Sequence, residues 1–109
     1  MTNLLEQKCK AKGVTAMSDA EVEDHLAQAS GWHVARGALE KTFSFKGWLE
    51  TVAFVDALAW VCHVEDHHPD LSVGFDRCTV RFSTHSVNGI SFNDFICAAK
   101  VDALVAFVG

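Results

Sequence analysis

Three of the six histidines lie in the segment VEDHHPDLSVGFDRCTVRFSTH, which covers residues 64–85. His67 and His68 are adjacent and precede Pro69, the only proline of the chain, and His85 closes the segment. An imidazole with a pKa near about 6.5 can donate or accept a proton at neutral pH, so a group of three is suited to general acid-base catalysis. Because proline disfavours helical backbone at the residue before it, we expect a helix to end near His68.

Other kinds of site compete with this interpretation. A metal site of three histidines and a carboxylate is compatible with the spacing, but side chains of neighbouring residues on an extended backbone point apart, so His67 and His68 would rarely bind one ion. The sequence contains no G-x-S-x-G motif, no phosphate-binding loop and no tyrosine, so covalent catalysis is not indicated. His25 and His33 are interpreted as ordinary solvated or hydrogen-bonded residues. Asp94, in the first turn of a predicted helix, could serve only as a capping carboxylate.

The composition is that of one small domain, and we treat residues 1–109 as a single unit. A net charge of -5 without a Lys/Arg cluster argues against direct binding to nucleic acid. No apolar run reaches the roughly 20 residues of a membrane span, and the N terminus lacks signal-peptide features, so we expect a cytoplasmic protein without membrane attachment. The four cysteines form no C-x-x-C pair, which indicates neither a zinc knuckle nor a disulfide framework.

Local patterns predict the elements that must position the histidines. Residues 1–15 are expected to be a loosely held N-terminal arm. Ser18 and Glu21 form a capping box that begins a short helix, and Gly31 suits its end. The segment WHVARGALEKTFSF predicts a hairpin, and LSVGF with RCTVRFST predicts a second one. The helix predicted over 47–67 carries the widest apolar stripe and should be the most buried, and Ser91 can cap a final helix.

The resulting order is helix, hairpin, helix, hairpin, helix. It predicts an α+β fold, with a mainly antiparallel four-stranded sheet and about three helices packed on one face. The opposite face of the sheet would then be bare. Because a domain of this size gains stability by oligomerising, we expect a homodimer or a homotetramer.

Several motifs together resemble one known family. HHP, an aromatic residue at Phe75, STH at the end of a strand, G-I-S and then Asp94 resemble the signature of the pterin-4a-carbinolamine dehydratases. Upstream, SDAEVEDHLAQASGW, FSF and Phe54 are also similar to that family, so the resemblance extends from Ser18 to Leu104. It implies dehydration of a 4a-hydroxytetrahydropterin, the 4a-carbinolamine, to the quinonoid dihydropterin. This step belongs to the recycling of tetrahydrobiopterin, the cofactor of aromatic amino acid hydroxylases.

The resemblance also implies roles for individual residues. The catalytic residues would be His67, His68 and His85, with His67 and His85 transferring protons and His68 placing the substrate. Residues implied to form the pterin cleft are Asp66, Ser83, Thr84, Ser86 and Asp94. No metal and no other cofactor is implied. Two positions depart from the family pattern, since His63 stands where many relatives have an acidic residue, and Phe75 replaces the more usual Tyr or Trp.

A second function hypothesis comes from the same resemblance. Animal members of the family also resemble an interaction protein, the dimerisation cofactor of a homeodomain transcription factor, which uses a helix surface shared with self-assembly. Such a role would add a transcription-factor partner and a nuclear location. A binding assay with the factor would support this role, whereas a turnover assay tests the enzyme.

Overall fold

The computed structural model describes residues 4–10 and 12–108, with side chains as far as residue 105. The described chain has three α-helices and four strands, and this confirms the predicted α+β class and the order of the elements. In chain order they are α1 (Asp19–Leu26), β1 (His33–Ala35), β2 (Ala38–Ser44), α2 (Trp48–Glu65), β3 (Asp70–Val73), β4 (Arg77–Phe82) and α3 (Phe92–Val108). Short 3₁₀ turns occur at Leu4–Glu6 and His85–Val87.

The two predicted hairpins lie side by side in one antiparallel sheet. The strand order is β1-β2-β4-β3, so β2 and β4 pair with each other at the centre. Between β1 and β2, Arg36 and Gly37 both have positive φ, 49° and 77°. Two central residues with positive φ match the right-handed twist of the flanking strands, which is why this short connection closes the hairpin.

The core lies between one face of the sheet and the helices α2 and α3. Alternate residues of β4 are buried, as its period-two pattern predicts. The largest fully buried apolar side chains come from both central strands and from both long helices: Leu39, Phe54, Leu58, Val80, Phe82, Phe95, Ile96 and Val101. Burial of side chains of this size contributes roughly 1.5–3 kcal/mol each and holds the two layers together.

Helix α1 begins at the predicted capping box. The Ser18 hydroxyl accepts a hydrogen bond from the Glu21 N–H at 3.2 Å, and the Glu21 carboxylate accepts one from the Ser18 N–H at 2.9 Å. These hydrogen bonds hold the pKa of the Glu21 carboxyl below its usual range. The helix ends at Leu26 rather than at the predicted Gly31, because turns at residues 27–31 carry the chain from the helix to Trp32.

Helix α2 is only half buried, so the prediction that it is the most buried helix is wrong. One face carries the buried residues Thr51, Phe54, Leu58, Cys62 and Glu65. The other face exposes the apolar side chains of Trp48, Leu49, Val52, Trp60 and Val64, which we call the α2 apolar face. Helix α3 is buried continuously from residue 93 to residue 98, since it contacts the sheet, α2 and the N-terminal 3₁₀ turn. Within the described residues, no helix is long and apolar enough to cross a membrane.

Part of the segment expected to be a loose arm is attached to α2 and α3. The Cys9 N–H donates to Oε1 of Glu65 at 2.8 Å. The Lys10 N–H donates to Oδ1 of Asn93 at 3.0 Å, and Nδ2 of Asn93 donates to the Lys10 carbonyl at 2.9 Å. Because Asn93 and Glu65 are buried, these three hydrogen bonds fix residues 9 and 10 on the body of the protein.

Candidate active site

An open cleft of about 400 Å³ lies where α2 ends, β4 ends and the N-terminal segment crosses α3. Seven of the eight residues predicted for the site line it: Asp66, His67, His68, Ser83, Thr84, His85 and Ser86. The other lining residues are Lys10, Val14, Pro69, Asp70 and Asn93. The eighth predicted residue, Asp94, is fully buried and lies behind the wall of the cleft, in contact with His67.

The sheet register brings the histidines together. Helix α2 ends at Glu65, and Asp66 follows in the left-handed conformation, with a φ of 51°. This turn and Pro69 direct the chain into β3, whose first residue Asp70 pairs with Arg81 near the end of β4. The start of β3 therefore lies beside the end of β4, so His67 and His68 come next to residues 83–86 although 15 or more positions separate them in sequence.

His67 is held on two sides. Its Nε2 lies 2.6 Å from Oδ1 of Asp94. Its ring lies nearly parallel to that of Phe82, with 6.0 Å between the ring centroids and an angle of 11°. The side chain retains 12% exposure, whereas that of Asp94 is 0% exposed. His67 therefore presents a fixed ring edge to the cleft while its opposite nitrogen faces a buried carboxylate.

The Asp94 carboxylate is fully engaged by hydrogen bonds. Its Oδ2 accepts one from the Ser91 N–H at 2.9 Å and one from the Thr84 hydroxyl at 2.8 Å. The hydroxyls of Ser91 and Thr84 are 2.7 Å apart, and since the Thr84 hydrogen is used on Asp94, the Ser91 hydroxyl donates to Thr84. Asp94 thus caps the first turn of α3 and also orients His67, so the two interpretations of this residue are compatible. An ionised carboxylate only accepts hydrogen bonds, and the proton between these two groups is therefore on Nε2 of His67.

His68 and His85 are more exposed than His67. Neither of their rings has a hydrogen-bond partner among the described residues, so both are accessible to a molecule in the cleft. His85 begins the 3₁₀ turn that follows β4, and the Thr84 N–H donates to the Gly89 carbonyl at 2.8 Å to close this loop. Ser83 and Ser86 flank the loop on the cleft side.

The remaining residues with chemistry-bearing side chains lie elsewhere. His63 contacts the Trp60 ring on α2, with 6.1 Å between centroids, and does not line the cleft. Phe75 is 68% exposed at the β3–β4 turn. His25 contacts the rings of Phe92 and Phe95, and His33 pairs with Glu40 across the first hairpin.

Across residues 4–10 and 12–108, no three His, Cys, Asp or Glu side chains are grouped in a way that could hold a metal ion.

Sequence reasoning missed the wall of the cleft that comes from the N-terminal segment. Lys10, Val14 and Asn93 line it, and Asn93 holds Lys10 through the two hydrogen bonds described above. Both Lys10 and Val14 fall within residues 1–15, for which the terminal position predicts a loosely held arm. The sequence feature that could have indicated this wall is the position of Asn93 beside Asp94, in the first turn of the final helix.

Comparison with known proteins points to one family. Residues 15–104 match the family described as Pterin 4 alpha carbinolamine dehydratase. A relative from Nitrosomonas eutropha is 50% identical, and the alignment covers 96% of this chain and 98% of the relative. A relative from Stenotrophomonas maltophilia is 56% identical over 81% of this chain and 78% of its own length. Both relatives are assigned by name as pterin-4-alpha-carbinolamine dehydratases.

Two solved structures share the fold. The crystal structure of a transcriptional coactivator/pterin dehydratase from Brucella melitensis has a TM-score of 0.79 and 27% identity, covering 82% of this chain and 97% of its own. A pterin dehydratase-like protein identified as a RuBisCO assembly factor in the alpha-carboxysome has a TM-score of 0.56 and 28% identity, over 67% and 84% of the two chains. The matched residues include every predicted site residue, and the chain belongs to the pterin-4a-carbinolamine dehydratase family.

Proposed function

We propose that this protein dehydrates 4a-hydroxytetrahydropterins to quinonoid dihydropterins by histidine acid-base catalysis. The observation that carries the proposal is the presence of His67, His68 and His85 around one cleft, with His67 bonded to the buried carboxylate of Asp94. The dehydratase names of the relatives support the same reaction. Its natural place would be the recycling of tetrahydrobiopterin in the cytoplasm.

The reaction moves two protons and breaks one carbon–oxygen bond. An imidazolium donates a proton to the 4a-hydroxyl, and the C4a–O bond breaks to release water. A second imidazole accepts the proton from N5, whose electron pair forms the new N5=C4a double bond. The product is the quinonoid dihydropterin plus one water, and the two imidazoles can exchange their protons with solvent for the next cycle. General acid-base steps of this kind contribute roughly 10²- to 10⁴-fold.

His67 and His85 are the residues to which we assign proton transfer. With Nε2–H of His67 donating to Asp94, Nδ1 is the nitrogen that can carry or accept the transferred proton. The Asp94 carboxylate also fixes the orientation of the His67 ring, so Nδ1 is held in one position for the transfer. His85 lines the same cleft from the loop after β4, so we assign the two imidazoles to two positions of one bound pterin.

The remaining lining residues are assigned to binding the pterin. His68 is exposed to the cleft and has no hydrogen-bond partner among the described residues, so its ring can contact the substrate. Asp66, Ser83 and Ser86 offer polar atoms at the rim, whereas Thr84 acts through Asp94, to which its hydroxyl is bonded. Because every step is a proton transfer or the loss of water, the proposal requires no metal and no other cofactor.

A turnover assay with synthetic 4a-carbinolamine tests this function directly. The dehydration is followed by ultraviolet absorbance in stopped flow, against the spontaneous rate without enzyme. We expect the protein to accelerate the loss of water at micromolar concentration or below. An observed rate equal to the spontaneous rate with folded protein would refute the proposal.

The α2 apolar face favours a further property, self-association. Trp60 is 68% exposed, Val64 62% and Leu49 80%, and these side chains lie on one helix with Trp48 and Val52. Several large apolar side chains exposed on one helix are typical of protein interfaces. We propose that a second copy of the chain covers this face, giving a homodimer or a homotetramer. Light scattering at micromolar concentration should return a multiple of 11.9 kDa, and a monomer mass would contradict the proposal.

The alternative role is binding to a transcription factor, and it is supported by the similarity to the transcriptional coactivator/pterin dehydratase from Brucella melitensis. In that role the α2 apolar face would bind a transcription factor, with which the protein could also enter a nucleus. A competition experiment distinguishes binding of a transcription factor from self-association, because a factor that uses this face must dissociate the oligomer when it binds. Turnover does not depend on this choice.

A further inference from the structure

Three of the four cysteines converge where the N-terminal segment crosses the two long helices. Cys9 lies on that segment, Cys62 on α2 and Cys97 on α3. The Sγ atoms of Cys9 and Cys97 are 3.5 Å apart, although 88 positions separate the residues. This cluster is separate from the proposed proton chemistry, since none of the three side chains lines the cleft.

The three thiols differ in accessibility. Cys97 is 0% exposed and Cys62 is 2% exposed, whereas Cys9 is partly exposed. Burial, with the nearby Cys9 and Glu65, raises the pKa of Cys62 to about 12. The hydrogen bond with Cys9 and then burial raise the pKa of Cys97. Cys62 and Cys97 therefore remain protonated at neutral pH, and Cys9 is the thiol that a dissolved oxidant can reach.

The hydrogen bonds orient the two close sulfurs toward each other. The Cys9 S–H donates to the carbonyl oxygen of Asn93 at 3.6 Å, which leaves the Cys97 S–H to donate to the Cys9 sulfur. The backbone on both sides is fixed, because the Cys9 N–H donates to Glu65 and residue 10 is bonded to Asn93. Closing the 3.5 Å separation to the S–S bond length of about 2.05 Å requires the two sulfurs to approach by about 1.5 Å.

We propose that Cys9 and Cys97 are an oxidation site, which a peroxide converts to an intramolecular disulfide. The Cys9 thiol loses its proton, and its sulfur attacks one oxygen of hydrogen peroxide. The O–O bond breaks, Cys9 becomes a sulfenic acid, and the other oxygen leaves as hydroxide, which takes up that proton to become water. The Cys97 thiol then passes its proton to the sulfenic hydroxyl as its sulfur attacks the Cys9 sulfur, so the S–S bond forms and the S–O bond breaks. The hydroxyl leaves with the Cys97 proton as a second water, so two thiols are oxidised and one peroxide is reduced.

The bond would tie the N-terminal wall of the cleft to α3. Cys9 precedes Lys10, which lines the cleft, and Cys97 lies one turn beyond Asn93 and Asp94. A cross-link that joins the two ends of the fold restricts the unfolded chain strongly, so oxidation should raise Tm by at least about 5 °C. A thiol reductant should reverse both the bond and the shift.

Peroxide treatment followed by mass spectrometry tests the site. The reduced full-length chain is exposed to a few equivalents of hydrogen peroxide, alkylated and digested without reductant. We expect a loss of about 2 Da before alkylation, two of four thiols lost, and a peptide pair joined through Cys9 and Cys97. Cys9→Ser, at the partly exposed position, should abolish the cross-link without loss of fold. Cys78→Ser is the matched control, since Cys78 is a thiol of β4 outside the cluster, and this variant should still form the bond.

Three outcomes would overturn the inference. They are four intact thiols after treatment, a cross-link between other cysteines, and oxidation of Cys9 to a sulfinic acid without a disulfide. A rise in Tm that persists in Cys9→Ser would also count against the assigned pair. Circular dichroism confirms that each variant is folded before it is treated.

Discussion

Oδ1 of Asp94 lies 2.6 Å from Nε2 of His67, and Oδ2 of the same carboxylate accepts hydrogen bonds from Ser91 and Thr84. The carboxylate thereby selects the His67 tautomer that keeps Nδ1 available for proton transfer. In Asp94→Asn the amide oxygen can still accept from Ser91 and Thr84, but its NH₂ group faces Nε2 and favours the opposite tautomer. We expect kcat to fall at least about tenfold with little change in KM, because part of the acid-base contribution is lost. Steady-state kinetics measures the effect, with Asp19→Asn as an exposed control. Equal kcat for a folded Asp94→Asn and the wild type would remove Asp94 from the proposed mechanism.

Substitutions of the three histidines should affect different kinetic parameters. His67→Ala and His85→Ala remove a proton donor or acceptor, so each should lower kcat by roughly 10²- to 10⁴-fold, whereas His68→Ala should chiefly raise KM. The double variant His67→Ala/His85→Ala should lose far less than the product of the single losses, since the two residues act as a unit. His33→Ala serves as the control for removing an imidazole outside the cleft. A folded double variant with wild-type turnover would rule out this assignment.

Removal of metal ions should leave turnover unchanged. The proposed reaction needs only proton transfers, and Asp94 already occupies Nε2 of His67. Dialysis against a strong chelator, followed by the carbinolamine assay, measures this directly. Loss of activity that one divalent ion restores would instead favour the metal-site hypothesis considered from the sequence.

The oligomer should depend on the α2 apolar face. Trp60→Asp places a charge at an apolar position that is 68% exposed in the isolated chain. If a second copy covers this position, desolvation of the charge opposes association, and we expect the molecular mass to fall to that of a monomer or a smaller assembly. Light scattering across a concentration series measures the change. Gln28→Asp introduces the same side chain at an exposed position outside α2, and an equal effect of both variants would contradict the proposed interface.

Stability should depend on pH through Glu65. Burial acts to raise the pKa of Glu65, but the hydrogen bonds from Lys100 at 2.6 Å and from the Cys9 N–H at 2.8 Å hold it below the usual range. A carboxyl with a lowered pKa in the folded state stabilises the protein fully above its unfolded pKa of about 4.3, and this contribution is lost as pH falls through the folded pKa.

Glu65→Gln isolates this contribution. At pH 7 we expect the variant to lose roughly 1–3 kcal/mol of unfolding free energy, because charge-assisted hydrogen bonds are removed. The difference from wild type should shrink as pH falls below about 4, where the wild-type carboxyl becomes protonated. Urea unfolding from pH 7 to pH 3 provides the data, with Glu23→Gln as an exposed control. A difference that is constant over this range would show that the ionised carboxylate is not the stabilising group.

The sequence alone determined the α+β class and the two hairpins, which depend on short-range patterns: the capping box at Ser18, the period-two burial of β4 and the turn imposed near Pro69. Its family resemblance implied seven of the twelve residues that line the cleft. The motif HHP with STH also carried the family resemblance, which the relatives confirm. Local patterns of this kind are readable because the residues that create them are neighbours in the chain.

Only the tertiary structure decided which apolar and polar groups meet. The apolar stripe of α2 could not reveal that half of it stays exposed, because burial depends on which face the sheet and α3 cover. The hydrogen bond between Asp94 and His67 joins residues 27 positions apart, and the one between Lys10 and Asn93 joins residues 83 positions apart. No local pattern encodes such contacts. The sheet register and the packing of α3 create these contacts. The contacts decide which nitrogen of His67 faces the cleft and how the N-terminal segment forms one wall of the cleft.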